Sequence, residues 1–280
     1  MKSTKKLDNP SSRQTTETDP SPMEFRPKDA NPNLKEQSTF VGRLFKDLWL
    51  EVEPKNPLRR SFFISESFLS NFRYFTFIIN TITFFWTIAT TPNSYTPTYS
   101  KLLAFLTIWG FLFCYLYSIF VLIWKDVPDD SAKWKFVYLL GEIGFSLELM
   151  ICPFYFIVIF PDLLVKLNLT PMDITYSILI HFIVPVLVWL EIIFSDIAFP
   201  KNHKIVLHIV IAAYLMNNLA WTVITQKPVY EQVDWVSAQS YFLKMFAVTT
   251  IIGGFSGGGI LYRWKKSRQE KEVNQKQKGS

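Results

Sequence analysis

Histidine is nearly absent from this chain, with three in 280 residues. That scarcity excludes the membrane di-iron desaturases and hydroxylases, which need many imidazole ligands, and nothing in the sequence has metal-ligand spacing. No metal and no cofactor is expected. Cysteine is as scarce: Cys114 and Cys152 both fall in apolar runs, where thiols behave as small hydrophobes and give no disulfide framework. Charge is missing from the middle of the chain. Charged residues make up only 19% and crowd into the two ends, whereas a soluble domain spreads them over its whole surface. Residues 1–38 contain no apolar core of signal-peptide length, so the first apolar helix is expected to direct insertion.

What is present is apolar length. Hydrophobic residues make up 49% and aromatics 17%, including 26 Phe, in a series of long runs that predicts an all-α polytopic membrane protein. Six transmembrane helices are expected, near 71–90, 102–124, 136–160, 174–194, 205–225 and 241–262. Each is about 20 residues or slightly longer, which at 1.5 Å per residue crosses a core of about 30 Å. The net charge of +6 is not a nucleic-acid footprint, because its lysines and arginines sit in tails and short loops. Lys125, Lys133, Lys135, Lys201 and Lys204 follow spans two and four, and Arg263–Arg268 follows span six. The opposite loops hold one lysine each, Lys101, Lys166 and Lys227, so both termini are expected in the cytosol.

The chain therefore divides into a disordered cytosolic tail (1–38), an amphipathic juxtamembrane segment (39–68), a six-helix domain (69–262) and a basic cytosolic tail (263–280). In the second of these, Phe40, Leu44, Leu48 and Val52 recur every fourth residue, beside Phe45 and Trp49, as in an interfacial or partner-binding helix. The glycines of GGFSGGG (Gly253–Gly259) are read as helix-packing positions rather than a phosphate loop. The sequon at Asn168 precedes Pro171 close to the membrane and is not expected to carry glycan.

Ionisable and polar groups inside spans are costly, so each is a functional candidate. Glu142 and Glu191 lie near span ends, where snorkelling explains them, and His208 and Lys244 are also close to ends. Glu148, His181, Asn217 and Asn218 are the deep ones. Helix direction puts His181 and the two asparagines roughly 10–12 Å below the non-cytosolic surface and Thr107 roughly 8 Å below it. Thr76 enters from the cytosol and sits near the other side, too far for a nucleophile–base hydrogen bond. Each candidate has an ordinary alternative: a neutral His181 bonded to a neighbouring helix, and a Thr107 hydroxyl bonded back to the Leu103 carbonyl.

Two segments, KLLAFLTIWGFLFCYLYSIFVL (Lys101–Leu122) and HFIVPVLVWLE (His181–Glu191), resemble the androgen-induced gene family of integral membrane hydrolases. A weaker likeness runs through PVYEQV (Pro228–Val233). The resemblance implies six spans and hydrolysis of fatty acid esters of hydroxy fatty acids, with a threonine–histidine pair at Thr107 and His181. In that reading Thr107 attacks the ester carbonyl and His181 serves as base. Asn217 or Asn218 would donate to the oxyanion or fix the imidazole tautomer, and Glu148 would orient His181. The expected partners are a lipid or fatty-acyl ester and the membrane, with no nucleic acid, in the endoplasmic reticulum or another endomembrane. The same polar layer also suits a non-catalytic lipid-binding or transport protein, and the polar N-terminus suits a membrane scaffold.

Overall fold

The structure, a computed structural model, describes residues 56–91, 98–129, 131–166 and 168–279. The tail expected over 1–38, and the helix expected around Phe40, Leu44, Phe45, Leu48, Trp49 and Val52, lie outside these residues. The described residues are predominantly helical, with no strand among them. In chain order the helices are α1 (Glu66–Thr90), α2 (Tyr99–Leu102), α3 (Leu106–Trp124), α4 (Ala132–Phe154), α5 (Phe160–Lys166), α6 (Pro171–Ile178), α7 (Val184–Phe194), α8 (Lys204–Thr225) and α9 (Ala238–Gly279). A π turn, Tyr155–Ile159, joins α4 to α5, and a second, Leu179–Ile183, joins α6 to α7.

Five helical segments among the described residues are long and apolar enough to cross a membrane: Leu106–Trp124, Ala132–Lys166, Pro171–Phe194, Lys201–Thr225 and Ala238–Lys271. That is the pattern of a membrane protein. Helix α1, expected as the first span, has comparable length at 25 residues but is too polar to join the five. From Arg73 to Thr87 its buried residues are all polar. Arg73, Thr76, Asn80, Thr83 and Thr87 are buried, while Tyr74, Phe75, Ile78, Ile82 and Phe85 are exposed. Their spacing of three to four residues is one helix face, so α1 turns an apolar surface outward and a polar one inward. Thr83 and Thr87 satisfy their hydroxyls by donating to the carbonyls of Ile79 and Thr83, at 2.8 Å each.

Local chemistry sets the helix ends. The Ser65 hydroxyl accepts from the Phe68 amide at 3.2 Å and caps α1, with Glu66 in the first turn. The expected second span is divided: α2 is a single turn capped by Thr98, and α3 begins only at Leu106. At Thr170-Pro171 the sequon's own threonine forms a capping box with Asp173. Helix α9 continues past Tyr262 to Gly279, because Arg, Lys, Gln and Glu are good helix formers and no proline interrupts them. The basic tail expected from residue 263 is thus largely helical.

Helices α1, α3, α4 and α7 form a closed ring, each packed on the next, with α9 laid along α4 and touching α8. Between lipid-facing helices, tight packing replaces the hydrophobic drive, and small residues permit it. A Cβ added at Gly110 would sit 2.6 Å from Glu148 Oε1, and one at Gly144 would sit 2.9 Å from Cys114 Sγ. Gly254 and Gly258 are as tight against Leu149 and Phe199, which agrees with the packing role expected for that run. Replacing Gly144 by Leu is expected to cost about 1–3 kcal/mol by overpacking. Thermal unfolding in detergent would show this beside Gly257→Ala, whose added methyl meets nothing within 4 Å and leaves the midpoint unchanged or higher.

Two glutamates expected to snorkel do not. Glu191 is buried and bonded through Oε1 to Arg73 Nη2 at 2.6 Å, Arg73 Nε at 2.8 Å and the Tyr117 hydroxyl at 2.7 Å. Arg73 also donates to the Leu58 carbonyl at 2.5 Å. Glu142 is buried against His203 Nδ1 at 2.6 Å. Partners on other elements give each charge a nearer solution than solvent does.

Candidate functional site

A cleft of about 780 Å³, counting its open mouth, lies between α3, α4, α8 and α9 and reaches the loop after α8. Most of its wall is aliphatic, from Leu147, Ile151, Val210, Ile211, Val248 and Ile251. One end is polar, and Thr107 is there with Tyr214, Asn218, Tyr230 and Lys244. Apolar walls with a few polar groups are the usual form of a small-molecule site.

The polar end is a linked network. Thr107, Tyr214 and Tyr230 line this end together. The Leu106 amide donates to the Tyr230 oxygen at 3.1 Å, and Asn218 Nδ2 donates to the Tyr214 oxygen at 3.2 Å. Trp235 Nε1 in turn donates to Asn218 Oδ1 at 2.8 Å. Burial pushes the Tyr230 phenol well above its ordinary value, so it stays protonated. Thr107 does not bond back to Leu103, because α3 has only just begun at Leu106. The Leu103 carbonyl is occupied instead by Trp109 Nε1 and Asn217 Nδ2, each at 2.8 Å. Asn217 therefore braces the turn before α3, while its neighbour Asn218 faces the cleft.

His181 is not in the cleft wall. Its ring stacks on that of Tyr155, with centroids 3.4 Å apart and planes 7° from parallel, and Tyr155 does line the cleft. The Tyr155 hydroxyl donates to Ser177 Oγ at 3.0 Å. His181 Nδ1 is buried with no hydrogen-bond partner, so the expected bond to a neighbouring helix is replaced by an aromatic stack. Among the described residues no hydrogen bond joins Thr107 to His181. The Tyr117–Glu191 bond ties α3 to α7, and Thr107 and His181 each lie ten residues before it in sequence.

Both rings of the stack stand on π turns. The Phe160 amide bonds back five residues to Tyr155, and the Val184 amide five residues to Leu179. In each case a proline, Pro161 or Pro185, follows the turn by two residues and removes the amide that would restore the four-residue ladder. The extra residue in each turn swings Tyr155 and His181 together. The matching strings YFIVIFP (155–161) and LIHFIVP (179–185) are the sequence signal for this pairing.

Glu148 is fully buried with both carboxyl oxygens unpartnered, facing Gly110 of α3. It lies seven residues, about 10 Å along α4, from Tyr155, so it does not reach the imidazole it was expected to orient. Thr76 is buried toward the Arg73–Glu191 end of α1, its hydroxyl unpartnered and remote from the cleft. Tyr155, Tyr214, Tyr230, Trp235 and Lys244 were not anticipated as site residues. Tyr214 had a readable signal, standing four residues before Asn218 on one helix face. The described residues contain no cluster of three or more His, Cys, Asp or Glu able to hold a metal ion. No family model, curated protein or solved structure matches the chain.

Proposed function

We propose that this chain is a six-span integral membrane protein that takes a lipid ester into the cleft and hydrolyses it, with Thr107 as nucleophile and His181 as base. The observation that carries the reading is an apolar cleft whose polar end presents the Thr107 hydroxyl. Helix α1 supplies the sixth span: its 25 residues extend about 37 Å, and its outward face is apolar. Lysine and arginine placement supports cytosolic termini, and endomembrane residence goes with the same reading.

Chemically, the Thr107 oxygen attacks the ester carbonyl as its proton passes to a His181 ring nitrogen. The tetrahedral oxyanion is met by hydroxyl or amide donors at the polar end, and the departing alcohol takes the proton from His181. Water then releases the acyl group from Thr107. For His181 to reach Thr107, the Tyr155 ring has to leave the imidazole face.

A second reading, lipid binding without turnover, is favoured by the stacking of His181 on Tyr155, outside the cleft wall that holds Thr107. A fluorophosphonate probe applied to membranes carrying the full-length protein separates the two. Thr107→Ala and His181→Ala are expected to lose labelling while Thr76→Ala keeps it. Labelling that persists in both of the first two variants removes the hydrolase and leaves the lipid binder.

A further inference from the structure

The twelve residues between α8 and α9, 226–237, supply Tyr230 and Val233 to the cleft wall. Val229 beside them is buried. The Tyr230 ring meets Phe105 edge-on, with centroids 5.4 Å apart, and its oxygen accepts from the Leu106 amide at 3.1 Å. The loop is thus seated by its inner side on the start of α3, immediately before Thr107. Its outer side is held differently. Lys166 Nζ on α5 lies 2.7 Å from Glu231 Oε2 and 3.0 Å from Asp162 Oδ2, and Gln232 Nε2 donates to Asp162 Oδ2. The Lys166 and Glu231 side chains are 50% and 75% exposed. Exposed ion pairs contribute little and are screened by salt, so this clasp can part without disturbing the bundle.

Both ends of the loop are built to turn about fixed points. Gln226, with φ 56° and ψ 22°, is the only non-glycine residue in the left-handed region among the described residues. An L side chain adopts that conformation at a cost, so Gln226 marks a sharp change of chain direction at the end of α8. At the other end, Asp234 Oδ1 accepts from the amides of Val236 at 2.8 Å and Ser237 at 2.7 Å, and Trp235 Nε1 ties the chain to Asn218 of α8 at 2.8 Å. Between these two points, 227–233 is held by the clasp on α5 and by the Tyr230 seat.

We infer that 227–233 is a lid on the cleft. Shut, it separates the polar end from water, and it swings on Gln226 and Asp234 when the clasp between α5 and Glu231 parts. The inference rests on reading the cleft as a ligand site. Its readout is access rather than turnover, so it can fail while hydrolysis stands and hold where hydrolysis fails.

The test uses the purified full-length protein in nanodiscs, with the two buried cysteines removed as Cys114→Ala and Cys152→Ala and a reporter, Ala247→Cys, placed in the cleft wall. A water-borne thiol reagent, a trimethylammonium methanethiosulfonate, is applied, and modification at position 247 is followed by mass spectrometry. Lys166→Gln is expected to speed modification about two- to fivefold, the scale of one exposed ion pair. Added salt should speed the parent and leave Lys166→Gln unchanged. Asp162→Cys with Gln232→Cys, oxidised to a disulfide, should stop modification at position 247, and reduction should restore it. Modification that is equally fast with that disulfide formed or reduced, or that is unchanged by Lys166→Gln, overturns the lid. So does failure of the pair to oxidise, which would mean that the loop does not rest on α5. Absence of modification in every form, clasp broken or intact, means that water never reaches the cleft this way, and overturns the lid as well.

Discussion

Replacing Arg73 by Ala is expected to destabilise the bundle by about 3–5 kcal/mol, the usual result of removing one partner from a buried ion pair. The substitution leaves the Glu191 carboxylate buried with only the Tyr117 hydroxyl, and leaves the Leu58 carbonyl without its guanidinium donor. For a domain of this size the loss corresponds to a fall of roughly 6–20 °C in the unfolding midpoint. Thermal unfolding of the purified protein in detergent is the measurement. The double variant Arg73→Met, Glu191→Leu removes both charges and should regain the greater part of the loss, because the cost lies in the stranded charge. A midpoint for Arg73→Ala within about 2 °C of the parent would mean that water already reaches this pair.

His181→Ala is expected to lower ester turnover by about 10²–10⁴-fold, the range attributed to a positioned general base. Binding of a non-hydrolysable lipid should be unchanged, since His181 does not line the cleft. Tyr155→Phe distinguishes a base from a buried packing residue. It keeps the aromatic face on the imidazole but releases the ring from Ser177, so turnover should hold or rise. If His181→Ala retains full turnover, or Tyr155→Phe falls as far as His181→Ala, the imidazole is not the base.

Much of the helical order was legible because hydrocarbon-length runs leave few alternatives. The ends of α6, α7 and α8 fall close to where apolarity begins and stops. The start of α3 was misjudged, because the apolar run from Leu102 conceals a turn, and apolarity does not separate a helix from an apolar turn beside it. Helix α9 outran its apolar stretch because helix propensity in a charged tail is independent of hydropathy.

The candidate site was half legible. Depth counting from a fixed rise per residue put Thr107, His181, Asn217 and Asn218 in one layer, and the structure brings Thr107 and Asn218 to one cleft while His181 stays out of its wall. Azimuth was not accessible in the same way. Asn217 and Asn218 are adjacent in sequence yet 100° apart around α8, so one faces the cleft and the other the turn at Leu103. The aromatic stack over His181 was hidden for a related reason. A π turn rotates every following side chain, and only a proline at matching distance in two segments betrays it.

The inward polar stripe of α1 has a consequence for biogenesis. Arg73 is synthesised 118 residues before Glu191, the carboxylate that neutralises it. At about 5–20 residues per second, the nascent chain carries an uncompensated guanidinium for roughly 6–24 seconds. As the sixth span proposed above, α1 would meet the bilayer over that interval with its guanidinium uncompensated, a costly state until α7 emerges.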